Sequence, residues 1–297
     1  MIDKQKIRLD VADNGCNLNC KWCHKDYFQN SKKLFDPVFM SKCIEKIMPI
    51  YPDKYIEIIL GGSGEPLLTD INRLEKFLHL MKTNNKINNI KLITNGTINS
   101  NDIFSRLKAA GLLSVNISLS TLSKQKYINM HKKDLLNQVL KTIESAKNFD
   151  FEVKINCIYS KCNADEIDDF ILLSEKFSIL VKFFSIINYP KYYLPLDNLI
   201  CYLEKNLMEY KEHSNTYAYR AFKKNNAKLI VKLSEINNCP NLNCEKRELC
   251  IEGCRSSIRV SRNGILFPCG ANIENQIEIE RANEEEIVNC LKIGGKL

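Results

Sequence analysis

Between residues 5 and 187, short runs rich in β-branched and aromatic side chains alternate with longer stretches of helical period. No other feature restricts the fold as much. The strand-like runs are Ile7–Val11, Tyr55–Leu60, Ile90–Thr94, Leu113–Leu119, Glu152–Ile158 and Leu180–Ile186, each with the composition of a buried strand. Helical patterns lie between them at Pro37–Met48, Ile71–Lys82, Asp102–Ala110, Leu135–Ala146 and Ala164–Lys176. Asn101-Asp102 and Asn163 are read as N-caps and Gly111 as a C-cap. Six strand–helix repeats predict an α/β fold with a parallel sheet, whose functional loops gather at the carboxyl ends of the strands. Six units are too few for a closed eight-stranded barrel, so a partial (β/α)6 barrel and an open doubly wound sheet both satisfy the count.

After Pro190 the alternation breaks, so the chain divides into a core, 1–190, and a C-terminal extension, 191–297. Residues 195–226 read as helical. Residues 236–270 are rich in turns and cysteine, with short strands Ile258–Ser261 and Ile265–Phe267 joined across Asn263-Gly264, a strong hairpin signal. Residues 283–292 read as a closing helix.

Thirteen cysteines in 297 residues need a compartment. The amino-terminal stretch has no apolar run of signal-peptide length, and nowhere do eighteen apolar residues run together. The expected location is therefore the reducing cytosol, with no membrane partner, where clustered cysteines serve as metal ligands more readily than as disulfides. The net charge of +8 fits an anionic small substrate as well as it fits solvated lysines. Because lysines and acids are interspersed rather than blocked, no nucleic-acid partner is expected.

Cys16, Cys20 and Cys23 fall on one loop directly after the first strand. Spacings of this kind let one loop grip several corners of an iron–sulfur cube. Three cysteines on a four-iron cube leave one iron open to a small chelating cofactor. The competing reading is zinc with His24 as the fourth donor, although two adjacent residues seldom both reach one tetrahedral ion.

The loop Cys16-x3-Cys20-x2-Cys23, with Trp22 before the last cysteine, resembles the radical S-adenosylmethionine (radical SAM) superfamily. So do Gly61-Gly62-Ser63-Gly64-Glu65-Pro66, Thr94-Asn95-Gly96 and Asn116-Ile117-Ser118, each at a strand end and in that family's order. The resemblance implies a [4Fe-4S] cluster on Cys16, Cys20 and Cys23, and a 5′-deoxyadenosyl radical made by reductive cleavage of S-adenosylmethionine. That radical abstracts a substrate hydrogen. It also implies an electron donor such as flavodoxin or ferredoxin, and a cofactor pocket including Trp22, Gly64, Glu65 and Ser118. Ser63 departs from the usual glycine-rich form.

Cys254, Gly264 and Cys269 resemble the opening of the cysteine-rich twitch extension of that superfamily, with Cys250 as a third ligand; this implies an auxiliary [4Fe-4S] cluster on Cys250, Cys254 and Cys269. A zinc knot of Cys239, Cys244, Cys250 and Cys254 competes with it, and the role of Cys290 is open. Within the twitch type, the chain is most similar to the GTP 3′,8-cyclases of molybdenum cofactor biosynthesis over nearly its whole length, including the late Gly294-Gly295. That likeness carries Arg8, Thr94, Lys154 and Arg259 over as substrate-binding residues and favours a nucleotide. It fails at Leu60, Thr69 and Ser257, where arginines are expected, and at Ile186 or Ile187, where a methionine is expected. Lys296-Leu297 extend past the double glycine. Those losses keep a peptide-modifying twitch enzyme in view, and a zinc-stabilised binding module is the non-enzymatic alternative.

Overall fold

A computed structural model describes residues 4–23, 33–186, 189–210, 219–233, 257–269 and 275–294. His24, Ile187, Cys239, Cys244, Cys250, Cys254 and Gly295–Leu297 lie outside the described residues.

Six strands, β1 (Lys4–Asp10), β2 (Tyr55–Gly61), β3 (Ile87–Thr94), β4 (Ser114–Ser118), β5 (Glu152–Tyr159) and β6 (Leu180–Ser185), pair in chain order, all parallel. The helices returning between them are α1 (Pro37–Ile47), α2 (Ile71–Lys82), α3 (Asn101–Ala110), α4 (Lys124–His131), α5 (Leu136–Asn148) and α6 (Ile167–Phe177). The predicted α/β alternation is therefore the observed one, with α4 added. That helix has a weak apolar stripe and no side-chain cap, which is why periodicity overlooks it.

Three boundaries depend on single side chains. Ser100, not Asn101 or Asp102, caps α3: its hydroxyl accepts the Ile103 N–H at 3.4 Å. Asn163 caps no helix through its side chain; its Oδ1 accepts the Ser160 N–H at 2.8 Å and locks the turn after β5. Gly111 ends α3 at φ +111, the left-handed conformation expected of a C-cap glycine.

The helical reading of 195–226 is corrected. Among the described residues of that stretch only α7 (Leu196–Asn206) is helical. It is followed by β7 (Met208–Tyr210) and by a hairpin of β8 (Tyr219–Lys224) and β9 (Ala227–Lys232). Alanine, leucine and valine at 227, 229 and 231 alternate with period two, and Asn225 turns the chain at φ +50. Together these outweigh the mixed helical spacing. The predicted hairpin at Asn263-Gly264 is present as β10 (Ile258–Val260) and β11 (Ile265–Phe267), followed by β12 (Ile277–Glu278) and α8 (Glu284–Ile293). Helix α8 opens on a capping box between Asn283 and Glu286.

These later strands extend both edges of the same sheet. β10 adds parallel to β1 and β9 adds parallel to β6, giving the order β12-β11-β10-β1-β2-β3-β4-β5-β6-β9-β8-β7. Eight parallel strands thus sit between antiparallel ends. One sheet face, with Leu9, Leu60, Leu92 and Ile117, is buried under the helices. The other carries Lys6, Arg8, Lys91, Lys154 and Lys182. The charge of Lys6 on β1 reaches Lys182 on β6, so the sheet curls and this polar face lines a lumen.

Phe104 of α3 is fully buried, edge-on to Phe151 at 5.9 Å. Truncation of Phe104 to alanine is expected to cost about 3–5 kcal/mol, read as a lower midpoint in urea unfolding.

Candidate active site

The loop after β1 presents Cys16, Cys20 and Cys23 half-buried, at the carboxyl edge of the sheet. Its backbone is held from two sides. Asn19 and Lys21 donate to the carbonyls of His131 and Met130 at 3.2 and 3.0 Å, so the loop consumes acceptors that the end of α4 would otherwise leave bare. Just after β3, Asn95 Nδ2 donates to Asn17 Oδ1 at 2.8 Å and reaches Cys16 Sγ at 3.5 Å. Cys16 Sγ also accepts the Leu18 N–H at 3.4 Å, and Cys20 Sγ meets His131 Nδ1 at 3.0 Å. Among the described residues no three ligating side chains converge tightly enough for a single metal ion. Nitrogen groups rather than carboxylates meet two of the three sulfurs. Three half-buried thiols spaced along one loop are the donor set that suits a cluster gripped at three corners.

The glycine-rich run crosses directly beneath this loop. Gly62 stands at φ +132, and a Cβ there would lie 2.5 Å from Asp10 Oδ1. At Gly64 a Cβ would lie 2.2 Å from the Gly15 carbonyl oxygen, so only glycine allows the two loops to touch. Ser63, the departure from the usual run, has a purpose: its hydroxyl donates to Asp10 Oδ2 at 3.0 Å. Asp10 is buried, and burial pushes its carboxyl up, opposed by the nearby Arg262 charge and the Ser63 hydrogen bonds. Arg262, at the turn of the β10–β11 hairpin, donates through Nη1 to the Ala12 carbonyl. The hairpin is thereby joined to the root of the cysteine loop.

Glu65 is 1% exposed. Its carboxylate accepts from Thr94 Oγ1 at 2.6 Å, the Asn95 N–H at 2.6 Å and the Leu67 N–H at 3.0 Å, while its own N–H donates to Gly15 at 2.7 Å. Burial pushes its pKa up against those hydrogen bonds. The structure thus brings Thr94 to Glu65, in the row of Ile117 rather than in that of the lumen lysines. Trp22 is buried with Met130 and Ile186, edge-on to Tyr192 at 5.6 Å. Ser118 ends β4 exposed, opposite Asn156.

Arg8 and Arg259 stand side by side in the β1–β10 register. Lys154 pairs with Glu152 at 2.9 Å. Around them lie cations that the sequence reading missed: Lys6, Lys91, Lys182 and Lys232. Burial lowers the Lys6 pKa to about 8, with Glu57 opposing and Lys91, Lys4 and Lys154 assisting. Lys182 is held well below the ordinary lysine range by burial and by the charges of Lys232, Lys6, Lys154 and Lys91. Its Nζ donates to the Tyr219 hydroxyl at 3.0 Å and lies 4.7 Å from that ring's centroid. Burial disfavours the charge of Glu57, but Lys91 and Lys4, at 2.8 and 3.0 Å, hold its carboxyl down at about 2. The available signal was parity: Lys4, Lys6, Arg8 and Asp10 occupy every second position of one strand.

Two of the expected arginine positions acquire an explanation. Leu60 shares its row with Leu9 and Leu92 on the helix side, so no side chain there would enter the lumen. Thr69 staples the cysteine loop instead: its hydroxyl donates to Val11 O at 2.6 Å and accepts the Asp13 N–H at 3.1 Å. Cys269 and Cys290 are buried. Gly294 packs so closely on Pro268 that a Cβ would lie 1.7 Å from its carbonyl oxygen, which brings the end of α8 beside Cys269.

Gly64→Ala is the sharpest probe of this geometry. The variant is expected to keep its far-ultraviolet circular dichroism while taking up much less iron and sulfide on anaerobic reconstitution than the unsubstituted protein. Full iron content after anaerobic reconstitution would show that the loop contact is dispensable.

The match of a Radical SAM superfamily profile spans residues 13–173. A GTP 3′,8-cyclase of Clostridium botulinum (strain Langeland) is 26% identical over 283 residues, covering 92% of this chain and 83% of that protein. A probable GTP 3′,8-cyclase of Pyrococcus abyssi is 27% identical over 307 residues, covering 96% and 92%. Among solved structures, native anSMEcpe with bound AdoMet and Cp18Cys peptide superposes with a TM-score of 0.69 at 16% identity, covering 99% of this chain and 82% of that one. Streptococcus suis SuiB bound to S-adenosylmethionine gives 0.67 at 14% identity, covering 99% and 67%. Both structural likenesses concern the fold. The matched segment begins at the cysteine loop and runs through the glycine-rich crossing into α6, more than half of the chain, and the chain belongs to the Radical SAM superfamily.

Proposed function

We propose that this radical SAM enzyme acts on a phosphorylated nucleotide, as a GTP 3′,8-cyclase-like enzyme working in the cytosol. The observation that carries the reading is the cationic lumen, where Lys6, Arg8, Lys91, Lys154, Lys182, Lys232 and Arg259 line one face of the curled sheet. A polyphosphate is the common metabolite moiety that needs several converging positive charges. The names of the curated relatives point the same way.

In this reading Cys16, Cys20 and Cys23 hold the catalytic cluster. Trp22, Gly64, Glu65 and Ser118 shape the pocket for S-adenosylmethionine. Once bound, the cluster and cofactor supply a carbon radical, chemistry that belongs to them rather than to the protein. The chain's own residues bind, orient and keep water away. Arg8, Lys154 and Arg259 orient the phosphates, and Thr94 keeps Glu65 fixed. Cys250, Cys254 and Cys269 hold an auxiliary cluster beside the substrate, and a flavodoxin or ferredoxin delivers the electron. A ribosomal peptide is the second reading, favoured by Thr69 and Ser257 standing where the nucleotide enzymes are expected to have arginine.

Anaerobically reconstituted protein with reductant, S-adenosylmethionine and GTP is expected to consume GTP and release 5′-deoxyadenosine. Cofactor cleavage that proceeds equally with and without any nucleotide would overturn the nucleotide reading, and modification of a precursor peptide would replace it. Because Lys6 is neutral above about pH 8, GTP affinity is expected to fall between pH 7 and 9, measured by titration calorimetry at constant ionic strength.

A further inference from the structure

His131 is the last residue of α4, 8% exposed. Its ring packs at a tilt of 47° against the fully buried Tyr127, with centroids 4.4 Å apart. Two separate contacts tie it to the cysteine loop. The backbone carbonyl accepts from Asn19, and ring Nδ1 lies 3.0 Å from Cys20 Sγ. Among the described residues, Nε2 is buried without a hydrogen-bond partner. The tilted contact with Tyr127 and the short approach to sulfur fix the ring's direction.

A cysteine that ligates iron does so as thiolate, and thiolate sulfur only accepts. With Cys20 loaded, the proton of the imidazole must therefore sit on Nδ1, and the contact becomes an N–H···S hydrogen bond. Such bonds to cluster sulfurs favour the reduced, more negative state, and so raise the reduction potential.

We propose that His131 is a positioning residue for the catalytic cluster, donating Nδ1–H to Cys20 Sγ and thereby raising the potential at which the cluster accepts its electron. This rests on the assignment of Cys16, Cys20 and Cys23 as cluster ligands. Asparagine at this position keeps an N–H donor in the place of Nδ1, whereas leucine keeps the bulk and removes the donor.

The test is pulsed electron paramagnetic resonance on anaerobically reconstituted, dithionite-reduced full-length protein with ring-15N histidine, together with redox titration of the same samples. The wild-type protein is expected to show a weak 15N coupling that vanishes in His131→Asn. The potential should stay near the wild-type value in His131→Asn and shift to more negative values in His131→Leu. A coupling that persists in His131→Asn, or no coupling at all in a protein with a normal cluster signal, overturns the proposal. So does a His131→Leu potential equal to wild type. If His131→Leu fails to fold, the comparison of wild type with His131→Asn still decides. A wild-type protein lacking any cluster signal is a different failure, that of the ligand assignment itself.

Discussion

The carboxylate of Glu65 is the joint on which the catalytic edge of the sheet turns. It is sealed from solvent, it accepts hydrogen bonds from Thr94, Asn95 and Leu67, and its backbone reaches across to Gly15. A buried carboxylate is tolerable only when so many donors converge on it. Satisfying it forces the ends of β2 and β3 and the cysteine loop after β1 into one arrangement. Gly64 supplies the closeness that makes this possible, and Thr69 and Ser63 add hydroxyl staples to Val11 and Asp10. The three thiols inherit their positions from these contacts and from the carbonyls at the end of α4.

Much of this was legible in the residues, and the reasons for the rest are physical. Strands buried on one face and aligned in parallel announce themselves through β-branched runs, and all six core strands were found. Asn263-Gly264 marked its hairpin because that dipeptide suits left-handed turn geometry, and Gly264 stands at φ +76. The hairpin of β8 and β9 escaped because Lys224, Lys228 and Lys232 recur four residues apart, a spacing that suits one face of a helix as well as a strand edge. Helix α4 escaped because it is short and weakly amphipathic. The lumen cations escaped for a different reason. Their proximity arises only when the sheet curls, bringing Lys6 and Lys182 together from opposite ends of the six-strand core, and no local pattern encodes that meeting.

His131 and Arg262 illustrate the same limit. One closes the cysteine loop from α4 and the other ties that loop to the β10–β11 hairpin, across sequence separations of 111 and 250 residues. Arg262 is 7% exposed, an unusual place for a guanidinium, and is tolerated there beside the buried Asp10 and the Ala12 carbonyl. Through it the part of the sheet nearest Cys269 and the loop bearing Cys16 share one rigid connection.

The curled lysine face also couples occupancy to rigidity. Burial lowers the Lys6 pKa first, and the like charges of Lys91, Lys4 and Lys154 lower it further against the pull of Glu57, so the hollow disfavours its full complement of protons. A polyanion entering the hollow cancels the repulsion directly and draws protons back. Capture of a polyanion there would therefore also firm up the barrel wall, with protein stability, proton uptake and ligand capture as linked faces of one equilibrium.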